Sequence, residues 1–169
     1  MGLVQVATDT VTSAQASVTL TGINSDDVYM LTMHNVAPVS DNVYLKGRVT
    51  TSGTPDSDSE YDRATKTLRA NTSFGNGAEQ NASEWYIQEN TNGTGTSEVC
   101  NGIIYLYNFN NSSDYSFMTQ EISQISSSGL HRGRQGGGVH TVASASDGIQ
   151  FLMSSGNIAS GTFTLYKVI

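Results

Sequence analysis

The chain has 169 residues, 37% apolar and 14% charged, enough for one domain with a core of its own and unlike the composition of a disordered segment. Its net charge of −7, with only eight Lys and Arg in all, argues against a nucleic-acid surface, which needs clustered cations. One cysteine excludes an internal disulfide, and no apolar stretch approaches the ~20 residues of a membrane helix.

Serine, threonine, asparagine and 17 glycines fill much of the chain, while only two prolines occur. These residues favour turns and strands over helix interiors, so an all-β domain over residues 1–169 is expected. The opening Met-Gly-Leu-Val-Gln-Val has neither the positive region nor the long apolar region of a secretion signal. Residues 1–16 are read as a segment able to extend to a neighbouring subunit.

The dominant period is two. Residues 17–21 alternate as a short strand. Over residues 28–36, Tyr29, Leu31 and Met33 share one face and Thr32 and His34 the other. Residues 43–49 put Val43, Leu45, Gly47 and Val49 on one face against Lys46 and Arg48. The turn-rich connection 37–42, with Pro38, predicts that these two strands form a hairpin.

Residues 51–99 are less regular. Tyr61, Ala64, Thr65 and Leu68 fit one or two helical turns about as well as a strand. Asp56, Asp58 and Glu60 alternate as calcium ligands can, but they lack the glycine and distal glutamate of a known calcium loop, and a solvated loop explains them. Trp85 and Tyr86, beside Asn-rich loops, are where a glycan would find aromatic rings; anchoring the region to the core is the competing account.

Residues 103–109 break the alternation, being apolar on both faces. One face is expected to pack in the core, and the other, with Ile103, Tyr105, Tyr107 and Phe109, to meet a neighbouring copy or a covering loop. Cys100, just before this run, reads as a small buried hydrophobe. The run Arg132-Gly-Arg-Gln-Gly-Gly-Gly138, flanked by His131 and His140, predicts a solvated loop between strands. Residues 149–153 and 163–165 alternate again and predict a last hairpin. Tyr29, Leu31, Leu45, Val49, Ile104, Leu106, Phe151, Phe163 and Leu165 form the expected core.

No nucleophile elbow, phosphate loop, dinucleotide fingerprint or zinc-protease motif is present, so no catalytic residue, cofactor or metal is expected and the chain reads as a non-enzyme. Short strands at regular spacing with Gly-rich turns favour an antiparallel β-sandwich of jelly-roll type.

The segment from Ile149 to Tyr166, Ile-Gln-Phe-Leu-Met-Ser-Ser-Gly-Asn-Ile-Ala-Ser-Gly-Thr-Phe-Thr-Leu-Tyr, resembles the ending of a family of small virion structural proteins of tailed bacteriophages. Asp27-Val-Tyr-Met-Leu31, Gly102-Ile-Ile-Tyr-Leu-Tyr-Asn108 and the stretch 17–22 match in the same way. The resemblance implies a β-sandwich displayed on the particle as a capsid decoration protein or as part of a head fibre or tail appendage. It also implies assembly as a homo-oligomer, by family habit a trimer, beside the major capsid protein or tail proteins. Such a protein is made in the host cytoplasm and resides in the virion. The alternative is a module that binds host-surface glycan through Asp56, Asp58 and Glu60 and the neighbouring Trp85 and Tyr86. Neither reading involves nucleic acid or membrane.

Overall fold

The computed structural model describes residues 2–88 and 92–169. Its strands, in chain order, are β1 (Leu3–Val11), β2 (Ser17–Thr21), β3 (Tyr29–Pro38), β4 (Leu45–Thr51), β5 (Thr54–Pro55), β6 (Tyr61–Arg69) and β7 (Phe74–Ala82). They continue as β8 (Trp85–Tyr86), β9 (Cys100–Tyr107), β10 (Tyr115–Ile125), β11 (His131–Ala143), β12 (Gly148–Met153) and β13 (Ile158–Val168). Among the described residues there is no helix.

The strands form two antiparallel sheets. The larger runs β1-β13-β3-β9-β10-β11-β6-β7; the smaller runs β2-β12-β4-β5, with β8 also on β4. They pack as a β-sandwich over one core, in which all nine expected core residues are fully buried. Phe151 of β12 stacks on Phe163 of β13 across the two layers, with ring centroids 5.1 Å apart.

The alternation rule serves well where both faces differ. In β10, Ser116, Met118, Gln120, Ile122 and Gln124 are buried, while Phe117, Thr119, Glu121 and Ser123 between them are exposed. The stretch Tyr61–Arg69 is a strand, settled by its pairing with β11 on one side and β7 on the other.

Both expected hairpins are absent. β3 pairs with β13 and β9 in the large sheet, while β4 pairs with β12 in the small one; β12 and β13 likewise lie in different sheets. The turn residues are where the sequence placed them, but they carry the chain from one layer to the other. Crossing lets each strand present its apolar side to the opposite layer. A true tight hairpin joins β4 to β5, where Ser52 and Gly53 both have positive φ (52° and 73°), as a type I′ turn requires.

The expected loop at 132–138 is instead the middle of β11, paired with β10 and β6 on its two sides. Its backbone is spent on those two ladders. Glycine is there for close approach: a Cβ on Gly138 would lie 2.6 Å from Trp85 Nε1, and one on Gly136 would lie 2.4 Å from the Ala64 carbonyl oxygen.

Trp85 is thus a core residue, contrary to a glycan-stacking role. It reaches from β8 across the sandwich onto Gly138, and its indole N–H points at the carbonyls of Asp62 (3.2 Å) and Val139 (3.3 Å). Phe109 is also buried, contrary to its expected place on the surface with Ile103, Tyr105 and Tyr107. β9 ends at Tyr107, and Asn108 has a left-handed backbone (φ 59°) that turns Phe109 inward toward Trp85.

Replacing Trp85 with alanine should cost about 3–5 kcal/mol in denaturant unfolding, the usual range for emptying a large buried aromatic site. Gly138→Val should also destabilise, because the added carbons meet the indole and the Asp62 carbonyl together. If the Trp85→Ala variant unfolds at the wild-type denaturant midpoint, this packing is wrong.

Candidate functional site

Two surfaces carry chemistry beyond the core: the outer face of the large sheet, and a loop held against β11.

On the outer face, pairing places Tyr105 of β9 beside Thr119 of β10, then Gly137 of β11, Ala64 of β6 and Ala78 of β7. A neighbouring row runs from Tyr107 through Phe117 to Val139. Small residues therefore floor a trench, and aromatic and branched residues wall it. An open depression of about 830 Å³ lies over Phe117, Val139, Ala64 and Ala78, with Arg63 and Glu79 also in its lining. A second depression lies over Tyr105, Tyr107, Glu121 and Gln135. Ile103, Phe117, Leu68 and Phe74 are exposed on this face, Phe74 at 65%. Tyr105 and Tyr107 are half-buried. Three of the four residues assigned to a contact surface by their sequence thus share one open face, and only Phe109 leaves it.

The recognition residues expected in loops are dispersed. Asp56 and Glu60 are half-buried, Asp58 is exposed, and all three lie between β5 and β6. Tyr86 faces away from the core, with the Tyr44 ring edge-on at 5.3 Å and the Lys46 ammonium 4.9 Å from its centroid. Its polar neighbour Glu84 is buried and takes Lys46 Nζ and Arg48 Nη2, each at 2.6 Å, with Ser83 Oγ at 2.9 Å.

The loop of Asp56 and Glu60 is built against the sheet. Asp56 N–H donates to the Val49 carbonyl, and Tyr61 Oη–H donates to the Asp56 carbonyl. The Thr141 N–H and hydroxyl both donate to the Glu60 carbonyl. His140, buried in β11, then lies with Nε2 3.1 Å from Asp56 Oδ2 and 3.5 Å from Glu60 Oε2. Burial and the Asp56 carboxylate beside it push the Glu60 carboxyl above its ordinary value, against the attraction of His140. Sequence reading paired the two carboxylates but left out His140, whose separation by some eighty residues hides it; the β6–β11 ladder supplies the missing link.

Other groups are inert. Burial pushes the Cys100 thiol up to about 12, which leaves no thiolate for chemistry at neutral pH. Tyr61 Oη is held by Val49 N–H and the Asp56 carbonyl, and its phenol is raised above its ordinary value, chiefly by burial.

Burial alone would raise Glu84, but hydrogen bonds from Lys46, Arg48 and Ser83 outweigh it and hold the carboxyl down to about 2. Because the folded value lies below the unfolded one, the stabilisation is complete above pH ~4.5 and is lost as pH falls toward 2. Its size is on the order of 2–3 kcal/mol. Acid unfolding should therefore steepen in that window, and Glu84→Gln should flatten it while lowering stability at pH 7. An unchanged acid profile in Glu84→Gln would remove this ion pair from the account.

Comparison of the sequence with protein-family models and with curated proteins returns no match.

Proposed function

We propose that this chain is a non-enzymatic exterior structural protein of a tailed-phage virion, assembling through the outer face of its large sheet. The observation that carries the reading is that face. It spans several strands, is walled by Tyr107, Phe117 and Val139, and leaves Ile103, Leu68 and Phe74 open to water. Exposed apolar and aromatic side chains gathered on one sheet face suit an interaction surface, here crossed by the polar row Glu121, Gln135, Lys66 and Asn76.

The strand order supports the same reading. A jelly-roll reading, with β1-β13-β3-β9 as one four-stranded layer and β2-β12-β4-β8 as the other, fits this order. The hairpins β10–β11 and β6–β7 then extend the first layer beyond β9. Jelly rolls are a common architecture of viral capsid and lectin domains. The resemblance of residues 149–166 to phage virion proteins supports the choice of the former.

The partners are copies of the chain itself, a trimer by family habit, together with capsid or tail proteins of the particle. Mass spectrometry of purified particles tests this: hundreds of copies indicate capsid decoration, a few dozen or fewer a fibre or tail appendage. Absence from the particle overturns the reading. Tyr105→Asp should weaken self-association by about 2 kcal/mol or more, as loss of a central interface aromatic does. The subunit itself should unfold within about 0.5 kcal/mol of wild type, since the site is at the surface. Light scattering and denaturant unfolding measure the two.

A second reading has its own observation. Tyr105 and Tyr107 stand beside Glu121 and Gln135 in one depression, an aromatic platform with polar groups at its rim. A glycan-binding role belongs there and not at Trp85. Binding of host-surface glycan by the wild type and not by Tyr107→Ala would favour it over self-assembly.

A further inference from the structure

Asp56, Glu60 and His140 come from two separate stretches, and each directs a ligand-type atom to one point. Asp56 Oδ2, Glu60 Oε2 and His140 Nε2 all lie within 4.8 Å of one another. The two distances from the imidazole, 3.1 and 3.5 Å, bracket the edge of a tetrahedron whose centre is about 2.0–2.1 Å from each corner, roughly 3.3 Å. On those two edges a small cation fits with little movement, and the two carboxylate oxygens lie within 4.8 Å of each other.

We infer that Asp56, Glu60 and His140 form a binding site for a divalent transition-metal ion of the Zn²⁺ type, which clamps the 56–60 loop onto β11. The cluster is more than crowded surface acid, because its nitrogen ligand is at 1% exposure and aimed into it. The ring's other nitrogen, Nδ1, is buried and has no hydrogen-bond partner. The ring is positioned instead by its contact with Tyr61, 4.8 Å between centroids.

The carboxylates are positioned as well. The Asp58 N–H donates to Asp56 Oδ1 and leaves Oδ2 to face the imidazole. The Glu60 carbonyl is fixed twice by Thr141. Little ordering is thus left for the ion to impose. One nitrogen and two carboxylate oxygens suit zinc, cobalt, nickel or manganese; calcium, which takes six to eight oxygens, is poorly served. Asp58, grouped with the other two by sequence, contributes its backbone and not its side chain. This site departs from the expectation of no metal and does not depend on the virion reading.

The test uses the full chain without an affinity tag. Calorimetric titration with Zn²⁺ should show one saturable site, and the same ion should raise the thermal midpoint in proportion to the logarithm of its concentration. Ca²⁺ and Mg²⁺ at equal concentration should leave the midpoint unchanged. Co²⁺ should give the intense visible absorption of tetrahedral coordination. Asp56→Asn and Glu60→Gln, in a loop where folding is least at risk, should each weaken Zn²⁺ binding at least about tenfold. A His34→Gln, His131→Gln double variant should bind as wild type. The proposal is overturned if no saturable site is found, if the Asp56→Asn, Glu60→Gln double variant binds undiminished, or if Ca²⁺ stabilises as well as Zn²⁺. In the first two cases the cluster is an ion pair alone; in the third the protein takes hard cations without the preference proposed.

Discussion

The contact of the Trp85 indole with the bare backbone of Gly138 sets much of this molecule. The large sheet has eight strands and the small one five, so part of the large sheet extends beyond its partner layer. Trp85, on the short strand β8, is the side chain that reaches over to it. Once the indole is seated, Tyr61 packs edge-on against it at 5.1 Å, and its hydroxyl joins Val49 N–H to the Asp56 carbonyl. His140 packs on Tyr61 in turn. The position of a surface loop therefore follows from a glycine in the middle of a strand.

The same dependence explains what the sequence showed and what it hid. A period of two reports which face of a strand is apolar, and on that basis Leu31, Leu45, Ile104, Phe151 and Leu165 could be placed in the core. It does not report which strand lies alongside. Turn residues at 37–42 are equally good for a hairpin and for a crossing between layers, so the pairing of β3 with β13, over a hundred residues away, left no local trace. Phe109 failed for a different reason. A single left-handed residue, Asn108, shifts the alternation by one, and the sequence marks such a residue only weakly. The Gly136–Gly138 run was read by its usual habit of forming turns. Its real cause, the Trp85 indole against Gly138 and the backbone of β6 against Gly136, lies in residues far away in the chain.

Charge is used sparingly and mostly inward. Lys46 and Arg48 converge on Glu84, Arg63 meets Glu79, and Lys167 meets Asp27. At least these four of the chain's eight basic residues are committed to carboxylates, and the net charge of −7 limits indiscriminate sticking. The outer face of the large sheet is the exception to this polarity. There the outward positions of β9 and β10 are Ile103, Tyr105, Tyr107, Phe117 and Thr119, with the polar Asn101, Glu121 and Ser123 at one end.

That contrast gives the two faces of β9 different tasks. Ile104 and Leu106 are fully buried and belong to the fold, while Ile103, Tyr105 and Tyr107 point outward with only partial cover. A strand needed for folding alone would carry polar residues at its outward positions, because these cost nothing in solvent and oppose aggregation. Apolar residues at those positions are instead suited to a surface that is covered in the working state of the protein. The small residues at Gly137, Ala64 and Ala78 make the same point from the other side of the trench: they add no side chain that would close it. In the proposed assembly, Tyr107 and Phe117 would supply the contact, and the small residues Gly137, Ala64 and Ala78 the room for close approach.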